Sequence, residues 1–365
     1  MEKIRIGIIF GGKSAEHEIS LLSAKNVIAA LDKNKYDITL IGIDKQGHWH
    51  LCDEAQYLLN HHDPKQITIY GMQEEVSLVA KNATPHLVSL TGEMTKRLDV
   101  IFPVLHGTYG EDGTVQGLLK LMGIPFAGAG VLGSAIGMDK DIMKRLLRDA
   151  GVPLAKFVTI NKENRPKWSY DAIKNELGMP LFVKPANLGS SVGVSKVKNS
   201  EDWENALELA FSYDNKIVVE EFIDGRELEC GVIGNEDLLA SLPGEVVVHA
   251  HDFYTYDAKY CVDTGISFIV PADLTEEEVT RFQEASIHAY RVLCCEGFAR
   301  IDGFLHADGR VIINEINTIP GFTNSSLFPR LWQASGMSYS ELVDRIIMLA
   351  LKRHDDEKHL KTTFS

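Results

Sequence analysis

Ile4 to Phe10 is largely apolar and β-branched at both parities, the pattern of a strand buried on both faces. Gly11 and Gly12 end it. Apolar positions then recur at Leu21, Ile28 and Leu31, which predicts a helix ending near Asp32. Tyr36 to Ile43 reads as a second strand. Strand, helix and strand in that order form a parallel unit, so the chain opens with an α/β domain. Val100 to Leu105 is a further buried strand that runs straight into His106-Gly107. Glu111 to Met122 starts with acidic residues and stops before Gly123, as a helix does. Residues 46–95 are mixed in character and carry no usable motif; they are expected to decorate the first domain.

The pattern loosens at the glycine-rich stretch FAGAGVLGSAIG, residues 126–137, where a domain boundary is expected. Asp139 is placed to cap a helix through Ala150, with Ile142, Leu146 and Leu147 inward and Gly151 as the stop. From Phe157 to Glu220 strand and helix alternate. The strand Leu181 to Lys184 leads into a loop, Pro185 to Gly193, and Val194 to Val197 returns as a strand. Beyond 220 the chain is strand-rich and closes with a helix from Ser340 to Lys352, followed by a charged, frayed tail from Arg353. Three bodies of α/β and α+β character are expected: 1–128, Rossmann-like, then 129–219 and 220–365.

A chain of 365 residues exceeds one ordinary core, in keeping with several domains. Its formal net charge of -14 and the lack of a Lys/Arg-rich run oppose a nucleic-acid partner, because neutralising phosphates needs a basic face. Five cysteines form no C-x-x-C pair and are odd in number, which fits a reduced, cytoplasmic setting. No apolar run approaches the roughly 20 residues needed to span a bilayer, so no membrane role is expected. The N-terminal apolar run lacks a small-residue cleavage site and reads as a strand rather than a signal peptide.

Two glycine-rich loops invite a phosphate reading. Gly7 to Ser14 formally satisfies G-x-x-x-x-G-K-[ST]. However, Ile8, Ile9 and Phe10 belong to the buried strand, whereas a P-loop needs those residues as an open turn. The second loop, KPANLGSSVG from Lys184 to Gly193, links strand to strand. Its glycines and serines offer bare N–H groups and hydroxyls to phosphate oxygens, and Lys184 adds a point charge. An ordinary hairpin loop is the alternative.

The strongest chemistry lies further on. Glu315 and Asn317 are two apart in a predicted strand from Val311 to Ile316, so they emerge on one face. Asp302 ends or follows a neighbouring strand. Asp, Glu and Asn are hard oxygen ligands of the kind magnesium takes. Glu315 is placed to bridge two ions around a transferring phosphoryl group. Arg300 is near enough to neutralise a tetrahedral oxyanion. A surface salt-bridge network is the alternative.

Together, Lys140, Lys184, GSSVG, EEFI at 220–223, Arg300-Ile301-Asp302 and NEINTIPG from 314 resemble the ATP-grasp superfamily. GGKSAEHEIS at 11–20, HGTYGEDGTVQG at 106–117 and FYTYDAKY at 253–260 narrow the resemblance to the D-alanine–D-alanine ligases of bacterial cell-wall synthesis. It covers nearly the whole chain, with the motifs in the family's order. It implies an ATP-grasp fold behind an N-terminal Rossmann-like domain, and ligation of two D-alanines through a D-alanyl phosphate.

Carried over by position, the resemblance places Lys140 and Lys184 on the phosphates of ATP, with Ser191 and the loop amides covering them. Glu220, Glu221 and the Ile223 backbone meet adenine, and Glu227 meets the ribose. Asp302, Glu315 and Asn317 hold two magnesium ions, for which manganese substitutes. Glu16 receives the ammonium of the first D-alanine and His106 sits nearby. Arg300 and the Gly321 amide face the oxyanion. Ser326 and Leu327 take the second substrate's carboxylate. Lys259 reaches in from a lid expected over His249 to Asp263, and Tyr260 closes a Glu16–Ser190–Tyr260 network. Tyrosine at 260 favours an amine over a hydroxyl as second substrate. A homodimer is the family's usual state. Read alone, His106 faces either a ligand or a structural hydrogen bond, and Glu16 is also an ordinary acidic residue of a helix's first turn.

Overall fold

The computed structural model describes residues 2–60, 66–81, 84–92, 94–249 and 265–361. Among the described residues three main sheets carry the fold. The first contains β1 (Ile4–Gly11), β2 (Tyr36–Ile43), β3 (Trp49–Cys52), β6 (Met72–Lys81), β7 (Thr84–Ser89), β8 (Met94–Arg97) and β9 (Val100–Val104), in the order β8-β7-β6-β3-β2-β1-β9. A small pair, β4 (Leu58–Leu59) and β5 (Thr68–Ile69), stands apart. Only β2, β1 and β9 run parallel. The segment that the sequence left blank thus becomes an antiparallel extension of the parallel sheet.

Ile6, Ile8 and Phe10 of β1 pack with α1 (His17–Ala30) on one face, and Ile9 packs with Val115 and Leu119 of α2 (Thr114–Leu121) on the other. Burial on both faces is what the unbroken apolar run requires. Gly7 to Gly11 lies inside β1 and Lys13 is exposed, so the formal P-loop match is a strand and its exit.

The glycine-rich stretch at 126–137 is not loose. Most of it is α3 (Val131–Met138), which packs so closely that a Cβ on Gly133 would lie 2.6 Å from the Cys294 carbonyl oxygen. The glycines there serve close approach rather than flexibility. Helix α4 (Lys140–Asp149) is capped by the Asp139 carboxylate, which accepts N–H bonds from Asp141 and Ile142. Its buried face differs from the expected one. Ile142 is exposed and Leu146 only half-buried, while Met143, Lys144 and Leu147 point inward. Lys144 is drawn in by a buried carboxylate, which apolar periodicity does not register.

The second sheet is antiparallel, β10-β13-β11-β12, from β10 (Phe157–Asn161), β11 (Leu181–Pro185), β12 (Ser195–Val197) and β13 (Lys216–Glu221). Helices α5 (Tyr170–Leu177) and α6 (Ser200–Tyr213) cover it through Ile173, Trp203 and Leu207. The third sheet runs β17-β16-β14-β18-β19, with β15 beside β14. Its strands are β14 (Gly225–Ile233), β15 (Leu239–Ala240), β16 (Gly244–Val248), β17 (Ile266–Ile269), β18 (Phe298–His306) and β19 (Val311–Asn317). Helix α7 (Glu276–Val292) packs Phe282, Ala289 and Tyr290 onto it.

Two closing helices, α8 (Leu327–Ala334) and α9 (Tyr339–Lys358), tie the third sheet to the first. Phe322 stands 5.9 Å from Phe102, 5.8 Å from Phe298 and 5.5 Å from Phe328, centroid to centroid, so one aromatic cluster joins them. The expected frayed tail from Arg353 is helix instead. Arg353 is buried and donates to the carbonyls of Gly128 (2.6 Å) and Phe126 (2.8 Å), which holds this turn in place. No described helix is long and apolar enough to cross a membrane.

Candidate active site

Two adjoining hollows lie where the sheets meet. The larger, about 400 Å³, opens between the second and third sheets. From one side come Phe182 and Lys184 of β11 and Glu220 of β13. From the other come Glu227 and Glu229 of β14, Val246 to Val248 of β16, Asp302 of β18 and Glu315 of β19. Glu221 and Ile223 line its edge, and Lys140 and Ser191 its end. Glu221 also accepts the Lys156 amide at 2.8 Å. A cavity of this size with apolar walls and the lysines Lys140 and Lys184 in its lining matches a nucleotide.

The cationic end is tightly wired. Lys184 Nζ donates to Glu220 Oε2 at 2.8 Å and to Asn314 Oδ1 at 3.3 Å. Lys144, which the sequence reading did not single out, approaches the other Glu220 oxygen at 3.2 Å. Burial would lift the Glu220 carboxyl, but the two ammonium groups outweigh it and hold its pKa below the ordinary value. Burial lowers the Lys144 ammonium. It acts on Lys184 too, but there the Glu220 carboxylate prevails and raises the pKa. Lys140 Nζ donates to the Leu188 carbonyl at 2.7 Å and stands 3.4 Å from Glu315. It therefore bridges the Ser-Gly loop to β19.

The oxygen-rich set follows from strand register. Asp302 is paired with Glu315 and Arg300 with Asn317 across β18 and β19, and the ladder bulges between Asp302 and Gly303. Asp302 sits within β18 rather than at its end. Asn317 Nδ2 donates to Asp302 Oδ2 at 2.9 Å, and the Arg300 guanidinium clamps both Asp302 oxygens at 2.7 and 2.6 Å. Arg300 Nε also lies 2.8 Å from Glu229, another residue absent from the sequence reading. Asp302 and Glu315 line the large cavity, and Asn317, bonded to Asp302, lines the adjoining small one; hard oxygen donors of this kind fit magnesium.

The smaller hollow, about 80 Å³, has Glu16, His106, Glu111, Ser190, Arg300, Gly321, Ser326 and Leu327 in its wall. It shares Gly189 and Glu229 with the larger one. Glu16 is buried at the N-terminal end of α1, where the helix dipole favours an anion. The Ser190 hydroxyl donates to Glu16 Oε1. Ser190 and Ser191 both adopt positive φ, at 50° and 58°, in a loop whose backbone is held away from its relaxed form.

His106 shows why one ring carries two readings. Its Nδ1 meets the Ile319 carbonyl at 2.9 Å and its Nε2 meets Ser23 Oγ at 3.1 Å, so both nitrogens serve the scaffold while the ring lines the pocket. Burial lowers its pKa. Ser326 caps the pocket, its Oγ accepting the Thr323 amide at 3.0 Å, and Leu327 begins α8. Lys259, Tyr260 and most of the expected lid lie outside the described residues. Every other residue that the resemblance assigns to the site lines one of the two hollows.

Comparison with known proteins gives the family. The family model for the D-ala D-ala ligase N-terminus matches residues 5–129, and that for the C-terminus matches 146–348. D-alanine--D-alanine ligase A of Escherichia coli K12 is 50% identical over 364 residues, covering 100% of both chains. The solved D-alanine-D-alanine ligase of Coxiella burnetii superposes with a TM-score of 0.85 at 38% identity, over 98% of this chain and 97% of that one. The VanG D-Ala:D-Ser ligase of Enterococcus faecalis gives 0.81 at 36% identity, over 96% and 100%. The three sheets are therefore those of the ATP-grasp fold behind a Rossmann-like domain. The chain belongs to the D-alanine–D-alanine ligase family.

Proposed function

We propose that the large cavity holds ATP with its triphosphate at the Lys140–Lys184 end, and that the small pocket holds the first D-alanine with its ammonium on Glu16. The single observation that carries this reading is the shared wall. Gly189 and Glu229 border both hollows, so an amino-acid carboxylate in one lies beside the phosphate end of the other. On this reading the carboxylate oxygen attacks the γ-phosphorus and ADP departs with the electrons of the broken P–O bond. The second D-alanine, its ammonium having given one proton to solvent, then attacks the carbonyl carbon through its amine, and the nitrogen sheds a second proton that leaves with the phosphate. The tetrahedral oxyanion collapses and expels phosphate. Arg300 and the Gly321 N–H face that oxyanion, and Ser326 and the Leu327 amide receive the second carboxylate.

Ser191 covers the phosphates, Glu220, Glu221 and Ile223 border adenine, and Glu227 takes the ribose. Asp302, Glu315 and Asn317 would hold magnesium, or manganese in its place, as two ions. When bound, the metal supplies charge neutralisation on phosphate oxygens. The acyl phosphate is prone to hydrolysis, and Lys259 and Tyr260 are assigned to a covering lid. We read the chain as three bodies, 1–128, 129–219 and 220–365, one for each main sheet, with α9 returning to the first. Free Cys52, Cys230, Cys294 and Cys295 support a reduced, cytoplasmic setting. The homodimer assigned to the chain rests on the family's usual state.

Phosphate release with ATP, magnesium and D-alanine, against L-alanine, tests the reading. Release with D-alanine alone is expected, and equal release with both would contradict it. Product analysis with D-alanine competing against D-serine and D-lactate at neutral pH checks the second substrate. D-alanyl-D-alanine is expected to dominate, and a predominance of ester or of the serine product would overturn that assignment.

A further inference from the structure

We propose that Glu111 is a positioning residue, clamping together the two loops that close the small pocket and so setting the affinity for the amino acid bound there. This rests on the reading of that pocket as the first D-alanine site.

Glu111 lies in the turn between β9 and α2. Its Oε2 accepts the Gly107 N–H at 2.9 Å and its Oε1 accepts the Ile319 N–H at 3.2 Å. Ile319 stands 208 residues along the chain, in the turn that follows β19. The two amides thus come from separate parts of the fold and meet on one carboxyl group.

The Ile319 peptide is gripped at both ends. Glu111 takes its N–H, and its carbonyl faces His106 Nδ1 at 2.9 Å. Ser23 Oγ then joins His106 Nε2 (3.1 Å) to the Phe322 N–H (3.1 Å). The turn from Ile319 to Phe322 is therefore pinned on both sides of Gly321, whose amide faces the reacting carbon on the reading above. On its other flank Glu111 also holds Gly107, directly after His106 in the pocket wall.

Burial and the neighbouring Glu16 carboxylate push the Glu111 carboxyl up to about 8. Two carboxyl groups beside one small pocket divide the work: among the described residues Glu111 takes the amides of two loops, while Glu16 accepts the Ser190 hydroxyl. Glu16 is left for a substrate's ammonium, and Glu111 for the scaffold.

The test is Glu111→Gln. Assayed at about pH 9, where the carboxylate is ionised and both of its oxygens accept, a glutamine keeps one acceptor and turns an NH₂ donor against an N–H, so one loop loses its anchor. The D-alanine KM is expected to rise at least tenfold, equivalent to about 1.4 kcal/mol, and kcat to fall, while the ATP KM stays within threefold. Glu111→Asp, which retains both oxygens on a shorter arm, should lie between the two and serves if the glutamine variant does not fold. An unchanged D-alanine KM, or a parallel loss for ATP and D-alanine, would overturn the proposal. Glu16→Gln separates the two readings. If it leaves the D-alanine KM unchanged, the pocket assignment fails. If it raises that KM while Glu111→Gln does not, only the role of Glu111 fails.

Discussion

Lys144 and Lys184 share one carboxylate: Glu220 meets the first at 3.2 Å and the second at 2.8 Å, all three at the cationic end of the nucleotide cavity. Glu315 also attracts both ammonium groups, so the lysines here sit in a charge-paired network at the place assigned to phosphates. Breaking a buried ion pair from one side leaves a charge poorly compensated.

Lys144→Met should therefore destabilise the protein by about 3 kcal/mol in urea unfolding. Lys144→Met combined with Glu220→Gln should cost clearly less than the sum of the single changes, because contacting partners couple. Strict additivity would show that Lys144 acts on something other than Glu220.

Gly321 has no room for a side chain. A Cβ there would lie 2.7 Å from Ser326 Oγ, itself fixed by the Thr323 amide at 3.0 Å. Gly321→Ala must either turn the Ser326 hydroxyl away from the Thr323 amide or shift the turn that carries the amide assigned to the oxyanion. A fall in kcat of roughly 100-fold is expected, the scale of one lost oxyanion donor. The melting midpoint should move little. A kcat within threefold of the parent would remove Gly321 from the mechanism.

His106 makes a prediction about pH. Burial lowers its pKa below the ordinary 6.5, so the folded ring stays neutral where the unfolded chain binds a proton. The unfolded state then holds more protons, and stability present above pH 6.5 is lost as the pH falls through 6.5. Urea unfolding at pH 7.5 and 5.5 measures this. His106→Gln should show a difference between the two pH values smaller than the parent's by about 1 kcal/mol. An identical difference would mean that His106 does not titrate in this window.

Parts of this site could be read in the sequence because their physics is local. Alternation within one strand puts Glu315 and Asn317 on one face, and the run Ile4 to Phe10 announces a strand covered on both sides. Glu111, Lys144 and Glu229 were missed for the opposite reason. Each is a charged residue whose partner lies far along the chain, and a charge in a turn, helix or strand reads as solvated until the fold closes over it. The helix α3 was hidden by glycines that serve contact with the Cys294 backbone. The last turns of α9 looked like a charged tail, because their order comes from Arg353 reaching carbonyls more than 200 residues away.

The central claim is that Asp302, Glu315 and Asn317 form a nucleotide-dependent metal site. Manganese binding followed by electron paramagnetic resonance, with a non-hydrolysable ATP analogue present, measures it directly. The parent protein should bind two manganese ions per chain, and Glu315→Gln should lose at least one of them while retaining the analogue. The same number of ions, bound equally tightly by Glu315→Gln, would contradict the account.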